Sequence, residues 1–332
     1  MDHWLKHISH NLQVQTVLSH QRMITASIRP FFDARQVTLL SLRPQDIEDF
    51  YDTFYERGCK GTTVIRYHQI LKQALSAAVR KDLLPANPMD KVDRPKKAAF
   101  ERQHYSEEEV QKLIQIFADD PMRIPVTLTA FYGFRRSEVL GLKWENIDFE
   151  NRTISVQHKV LAMPGTSRTE LIVSDQLKTI SSRRTLPLIP AAEALLKDER
   201  ARQAENRKAF RKGYNTRYLD MICVNELGQL ISPDCLSQHF WLILEKNGMR
   251  HIRFHDLRHT CASLLLSQHV DIKYIQHWLG HSNYSTTADI YAHLATGAGE
   301  ETAQAMIHAL GLDKKEVRQP TLTDSLPDSG GE

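Results

Sequence analysis

Three prolines close together interrupt the helical pattern of this chain and divide it into two segments. They are Pro85, Pro88 and Pro95. Each proline fixes the backbone φ angle and lacks an N–H donor, so no regular helix crosses this stretch. Prolines also stiffen the chain where it runs between folded units. We therefore predict a first domain over residues 1–95, a linker over residues 96–105 and a second domain from residue 106 onward.

The first segment has the apolar periodicity of helices throughout. One run extends from Leu12 to Ile28 and is predicted to stop at Pro30. Pro44 fits the first position of another helix, because a missing N–H costs nothing there. We therefore predict an all-helical domain.

The second segment mixes two periodicities. Ser106 and Glu109 have the spacing of a capping box, which predicts a helix start. Beyond Trp144 the period becomes that of strands, which are predicted at Thr153–Gln157, Leu171–Val173 and Thr185–Leu188. The predicted fold is therefore mainly α with a small antiparallel β-sheet: an all-helical N-terminal domain and a mixed α+β domain over residues 106–312. The tail over residues 313–332, rich in Pro, Asp and Ser, is predicted to be disordered.

Residues that could take part in catalysis cluster near the C-terminus. His255 and Arg258 are three apart in a helical pattern, so they share one face. Gly280 is predicted to end a second short helix, which places His281 just past the helix terminus. Tyr291 follows ten residues after His281.

An arginine, a lysine, a His-x-x-Arg pair, a Gly-His pair and a terminal tyrosine, in this order, resemble the tyrosine recombinase (phage integrase) family, including integrases of conjugative transposons and phages. The matching residues are Arg135, Lys178, His255, Arg258, His281 and Tyr291. The resemblance extends from about Trp4 to Leu310. It implies a core-binding domain over residues 1–95 and a catalytic domain over residues 106–312 that clamp DNA between them. Many members of the family carry a further arm-binding domain ahead of these two.

The chemistry of these residue types suits phosphodiester transesterification. Arg135 and Arg258 would bind the phosphate oxygens, because guanidinium forks match them and stay charged. His255 and His281 can add hydrogen bonds or move protons near neutral pH. The resemblance implies that Tyr291 is the nucleophile and forms a 3′-phosphotyrosyl link. Religation then requires neither metal nor ATP, so no cofactor is expected.

Two assignments have competitors nearby in the sequence. The resemblance implies that Lys178 protonates the leaving 5′-hydroxyl, but Arg183 and Arg184 follow in the same predicted hairpin. Tyr284 is a second phenol close to His281, although the ten-residue interval of the family favours Tyr291. Glu138, one turn after Arg135, resembles the acidic residue that supports the catalytic cations.

The expected partner is double-stranded DNA. A net charge of +3 is only mildly basic, so charge alone does not predict this partner. Linker cations are predicted to contact phosphates: Arg94, Lys96, Lys97 and Arg102. The resemblance further implies a homotetramer in a synaptic complex, exchange of the C-terminal helix at Glu301–Leu310 between protomers, and accessory DNA-bending proteins. We find no signal peptide and no membrane span in the sequence, so we expect a cytoplasmic, DNA-associated protein.

Three other readings compete with the recombinase. His255 and His259 are four residues apart, as are His277 and His281, which is metal-ligand spacing on a helix, yet no HExxH acidic residue accompanies them. The four cysteines are scattered without metal-ligand spacing, so we predict no metal. A DNA-binding regulator that no longer cuts, or a type IB topoisomerase, would share the fold.

Overall fold

A computed structural model describes residues 1–97, 103–164, 169–175 and 183–280. The chain divides into two compact units, Met1–Glu101 and Arg102–Glu332. Several predicted features lie outside the described residues. They are Arg102, Lys178, His281, Tyr284, Tyr291, the helix at Glu301–Leu310 and the tail.

The first unit is helical wherever the structure describes it. Its helices are α1 (Asp2–Ser9), α2 (Val14–Met23), α3 (Arg29–Ala34), α4 (Pro44–Glu56) and α5 (Gly61–Val79). A buried aromatic and aliphatic core joins them, with Trp4, Ile24, Ile47, Phe50 and Leu71 among its members. The prediction of an all-helical N-terminal domain is confirmed.

The prediction that the second helix stops at Pro30 is wrong. A π-helical turn at Ile24–Ile28 carries the chain from α2 into α3, and Pro30 lies in the first turn of α3. In an α-helix the proline ring would clash with the carbonyl four residues earlier and leave it without a donor. A π-turn bonds to the carbonyl five residues back and so changes this local geometry. The helical backbone therefore continues past Pro30 to Ala34.

The proline-rich stretch packs against the first unit. The Asn87 side chain accepts a hydrogen bond from the Met89 backbone N–H at 3.0 Å and caps a 3₁₀ turn at Pro88–Lys91. Met89 is buried in the core of the first unit. The chain as far as Val92, whose side chain is also buried there, therefore belongs to the first unit's packing.

The second unit combines helices with two small antiparallel sheets. Its helices are α6 (Glu107–Ile116), α7 (Arg123–Tyr132), α8 (Arg136–Leu140), α9 (Pro190–Phe210), α10 (Pro233–Lys246), α11 (Asp256–Ser267) and α12 (Ile272–Leu279). Its strands are β1 (Ile147–Asp148), β2 (Thr153–Val156), β3 (Lys159–Pro164), β4 (Thr169–Ser174) and β5 (Arg184–Pro187). Strands β1, β2 and β5 form one sheet in that order, and β3 pairs with β4. The predicted fold class is confirmed.

The predicted helix start at Ser106 has the expected capping box. The Ser106 hydroxyl accepts from the Glu109 N–H at 3.3 Å, and the Glu109 carboxylate accepts from the Ser106 N–H at 2.8 Å. A large hydrophobic core packs most of the helices against the three-stranded sheet, and a smaller cluster joins α11 to α12. None of the described helices combines the length and the apolar character needed to cross a membrane.

Candidate active site

The turn between α7 and α8 sets the position of Arg135. Gly133 ends α7 with φ +61°, in the left-handed region that glycine adopts without strain. A Cβ at this position would also overlap the Leu279 side chain of α12. The turn delivers Arg135 to the N-cap of α8, where its backbone N–H donates to Glu138 Oε2 at 3.0 Å.

Helix α11 brings Arg258 to the same turn. The Arg258 side chain is buried, and its Nη1 donates to the carbonyl oxygen of Gly133 at 2.6 Å. The Cys261 thiol, one turn further along α11, contacts the Phe131 carbonyl of α7 at 3.3 Å. Packing of α11 on α7 therefore places Arg258 beside the loop that carries Arg135. The structure thus brings these two predicted site residues together.

Glu138 links the cations of the cluster. Its side chain is only 3% exposed. Oε1 accepts from Arg135 Nη1 at 2.5 Å, and Oε2 accepts from Arg184 Nη2 at 3.2 Å. Burial alone would raise the pKa of Glu138, but the guanidinium groups of Arg184, Arg135 and Arg258 together hold that pKa below its ordinary value. Glu138 is therefore a carboxylate at neutral pH.

Arg184 is the member of the cluster that the sequence reasoning misjudged. From the sequence it is a candidate only as a competitor of Lys178 for proton donation. Its side chain is 1% exposed, its Nε donates to the Trp278 carbonyl at 2.8 Å, and its guanidinium lies over the Phe134 ring. A group so enclosed cannot reach a departing 5′-hydroxyl. The available signal was strand alternation, since Arg184 shares the inward face of β5 with buried Leu186.

Its neighbour Arg183 lies on the opposite face. Arg183 is exposed, and its Nη2 donates to the backbone carbonyl of Asp175 at 3.2 Å. Lys178 lies outside the described residues, so its assignment as the proton donor stays a prediction.

The cluster carries an excess of positive charge. Arg135, Arg184 and Arg258 face the single carboxylate of Glu138. Burial and the neighbouring Arg135 lower the pKa of Arg258 to about 9, so this guanidinium remains charged at neutral pH. Arg135 is the most accessible of the three, with 30% of its side chain exposed. An anion approaching from solvent would therefore contact Arg135 first, with the buried Arg258 beneath it.

His255 stands immediately before α11 at the rim of this cluster. Part of the residue is open to solvent, and its ring lies edge-on to that of His259 with centroids 5.4 Å apart. Partial burial against the domain and the guanidinium of Arg258 lower the pKa of His255 to about 4. At neutral pH the imidazole is therefore uncharged.

The lowered pKa of His255 predicts a pH dependence of stability. The unfolded chain binds a proton near the ordinary pKa of 6.5, whereas the folded chain does so only near 4. The free energy of unfolding should therefore decrease as the pH falls through this interval. Arg258, Arg253, Asp256 and Arg135 all act on this ring and remain in place in a His255→Gln variant.

Denaturant unfolding between about pH 7 and pH 5 measures the effect. The His255→Gln variant should lose less stability over this range than the wild type. His104→Gln, which alters an exposed histidine of the same unit, serves as the control. An identical pH dependence in wild type and His255→Gln would show that the imidazole is not held neutral.

The predicted linker cations are accessible in the first unit. Arg94, Lys96 and Lys97 are exposed. Gly61, at the start of α5, leaves room for the Lys96 carbonyl to approach closely, which fixes the course of this segment. Contact of these side chains with phosphates stays a prediction.

The alternative of a metal site finds no support in the part of the chain that the structure describes. No group of three histidine, cysteine or acidic side chains in the described ranges could hold a metal ion. The second histidine pair of that alternative includes His281, which lies outside them.

A helical first unit, together with an α+β unit whose turn, strand and helix assemble arginines around a buried glutamate, defines the chain as a tyrosine recombinase. The chain belongs to the phage integrase family, whose sequence pattern matches residues 103–297. The expectation drawn from the sequence resemblance is confirmed.

Similar proteins carry names of the same class. A protein of Caldanaerobacter subterraneus named tyrosine recombinase XerC-like is 31% identical over 259 residues, which span 75% of this chain and 66% of that protein. The ICEBs1 integrase of Bacillus subtilis is 26% identical over 79% of this chain and 70% of its own length. The chain thus spans about two thirds of the length of these relatives.

Solved structures share the fold. The Tn1549 transposon integrase, in complex with a circular intermediate DNA, has a TM-score of 0.74 at 21% identity and covers 92% of this chain and 98% of that one. A λ integrase dimer bound to a core site has a TM-score of 0.63 at 17% identity, over 87% of this chain and 94% of that one.

Proposed function

We propose that this chain is a site-specific recombinase that cuts and rejoins DNA to integrate or excise a mobile element. The observation that carries the proposal is the cluster of Arg135, Arg258 and Glu138 around one turn, with His255 at its rim. The names of the relatives, which include an ICEBs1 integrase and a transposase of transposon Tn916, support the connection to mobile elements.

The arginine cluster would bind the scissile phosphate. Transesterification concentrates negative charge on the non-bridging oxygens, and preorganised cations in a site with little water stabilise that charge strongly. Arg135 is accessible and fixed by Glu138, so it can donate to one oxygen without first ordering its side chain. Arg258 adds a second guanidinium fixed to the Gly133 carbonyl.

Tyr291 would supply the nucleophile. Its phenolic oxygen attacks phosphorus, the bond from phosphorus to the 5′-oxygen breaks, and the protein becomes joined to the 3′-phosphate. Lys178 would give a proton to the departing 5′-oxygen, and a histidine of the site, His255 or His281, would take the phenolic proton. A free 5′-hydroxyl then reverses the steps on a new strand. The phosphotyrosyl link retains the bond energy, so neither ATP nor a metal is consumed.

The assembly would be a tetramer on two duplexes. One structure with this fold is a λ integrase tetramer bound to a Holliday junction, with a TM-score of 0.63 over 87% of this chain. Exchange of the C-terminal helix at Glu301–Leu310 would connect the protomers. Arg94, Lys96, Lys97 and Arg102 would contact phosphates, accessory DNA-bending proteins would assist, and the site of action would be the bacterial cytoplasm.

A nicked suicide duplex tests the cutting step. The duplex spans the joined ends of the proposed mobile element, with a nick placed so that a short fragment diffuses away after cleavage. We expect a protein–DNA adduct that survives denaturing electrophoresis and forms equally in EDTA. Binding without an adduct would show a non-cutting regulator, and an adduct lost in EDTA would show metal chemistry.

Strand exchange separates the recombinase from a type IB topoisomerase. Two labelled duplexes of unequal length, each with the junction sequence, should yield recombinant products of predictable length. Relaxation of supercoiled plasmid without such products would favour the topoisomerase.

A further inference from the structure

Arg184 occupies a position that is costly for an arginine. Burial and the neighbouring Arg135 both lower its pKa, and Glu138 supplies the compensating charge. Replacing a buried ion pair by apolar side chains of similar volume is often neutral or stabilising. Stability alone therefore gives a weak reason for a guanidinium in the middle of this cluster.

Arg184 and Arg135 are joined through one carboxylate. Glu138 Oε1 accepts from Arg135, and Glu138 Oε2 accepts from Arg184. The link leads from the first residue of β5, through α8, to the arginine that is accessible to a phosphate. Residues 176–182, which include Lys178, directly precede Arg183 and β5 in the chain.

The same two arginines hold the carboxyl end of α12. Arg184 Nε donates to the Trp278 carbonyl at 2.8 Å, and Arg135 Nη2 donates to the Gly280 carbonyl at 2.9 Å. The last carbonyls of a helix lack partners within the helix and attract cations. Gly280, with φ +67°, ends α12 in the left-handed conformation. The position of the carboxyl end of α12 is therefore set by two guanidinium groups that Glu138 holds in place.

We propose that Arg184 is a positioning residue for DNA cleavage: it fixes Glu138, and through it Arg135, relative to the end of α12 from which the chain continues to His281 and Tyr291. The proposal rests on the proposed recombinase function. Arg184 itself does not touch DNA, because its guanidinium is enclosed by Glu138, Trp278 and Phe134. Its loss would loosen the geometry of the phosphate site and leave the DNA-binding surface unchanged.

The test compares Arg184→Met and Arg184→Lys with the same substitutions at exposed Arg152, which pairs with Glu193 away from the cluster. Single-turnover cleavage of the suicide duplex, per active site, should fall about 10- to 100-fold in Arg184→Met, the size of effect expected from a small misplacement of reacting groups. Affinity for the intact duplex should change less than about twofold, since most contacts to DNA lie elsewhere. Both Arg152 variants should cleave like the wild type.

The pH profile gives a readout that a purely structural role would not move. Glu138 faces Arg135 in its own turn, Arg184 on β5 and Arg258 on α11, while the nearby Cys261 thiol stays protonated because burial raises its pKa to about 12. Removing Arg184 takes away a cation that lowers the pKa of Glu138. The pKa of Glu138 should therefore rise in Arg184→Met, and the acid limb of the pH–rate profile for cleavage should shift to higher pH. Arg184→Lys keeps the charge, so the acid limb of its pH–rate profile should stay near that of the wild type. Its cleavage rate should still fall, because one ammonium cannot reproduce the fixed guanidinium fork.

Each outcome decides the proposal. Wild-type rate and an unmoved acid limb in folded Arg184→Met would overturn it, as would a rate loss explained fully by weaker DNA binding. If Arg184→Met does not fold, a normal rate per active site in Arg184→Lys overturns it and a reduced rate with intact affinity supports it. A wild-type protein that forms no adduct would instead contradict the proposed function itself.

Discussion

Replacing Tyr291 with phenylalanine is expected to abolish the covalent protein–DNA adduct and to leave affinity for the DNA site unchanged. Phenylalanine keeps the ring and removes only the phenolic oxygen, so the variant has no atom at this position that could attack phosphorus. The rest of the phosphate site would remain assembled, because Arg135 and Arg258 are held by contacts within the described part of the second unit. The measurement is adduct formation on the suicide duplex beside a binding isotherm on the intact duplex.

Tyr284→Phe is the matched control. The substitution removes the other phenol that follows Gly280 in the chain. The variant should form the adduct at the wild-type rate. An adduct in Tyr291→Phe, or its loss in Tyr284→Phe only, would assign the nucleophile to Tyr284. Peptide mapping of the wild-type adduct would then locate the link directly.

The local parts of the site could be predicted from the sequence. The spacing of His255 and Arg258 places them within one helical turn, and Gly280 marks a helix end that the structure reproduces with left-handed backbone. These features depend on residues three or four apart, where periodicity and glycine chemistry decide the outcome.

Convergence of the parts could not be worked out from local patterns. The bond from Arg258 to the Gly133 carbonyl joins residues 125 positions apart, and the bond from Arg135 to the Gly280 carbonyl joins residues 145 apart. Their meeting depends on the packing of α11 against α7 and on the end of α12. The resemblance to a family supplied this information, and the packing supplies the physical reason.

The misjudgement of Arg184 has a different origin. An arginine close in sequence to a candidate catalytic lysine suggests a second candidate for the proton donor. Alternation along Arg184–Pro187 instead places Arg184 and Leu186 inward, and an inward arginine requires a buried carboxylate partner. Glu138 is predicted to support cations. That role, together with the inward face of β5, predicts the pairing of Arg184 with Glu138. Pro30 shows the same limit, since a π-turn rescues a helix that proline should have ended.

Arg258→Lys is the second variant with a large expected effect. Lysine keeps a positive charge but replaces the planar fork, so it cannot hold the Gly133 carbonyl and a phosphate oxygen in the same fixed geometry. Loss of one preorganised donor to a charged transition state costs about 10²- to 10³-fold in rate. Single-turnover cleavage should fall by that factor, while the dissociation constant for the duplex changes little.

The pH dependence of this variant distinguishes charge from geometry. The surroundings that lower the pKa of Arg258 to about 9 would act on a lysine as well. A lysine starts from about 10.4, so its titration would approach neutral pH, and part of the lost rate should return as the pH is lowered. Arg202→Lys, which alters an arginine paired with buried Glu199 on α9, should leave cleavage unchanged. If Arg258→Lys cleaves at the wild-type rate at every pH, positive charge alone is sufficient at this position and the fixed fork contributes nothing. If its rate is low and does not recover in acid, the geometry of the fork accounts for the whole loss.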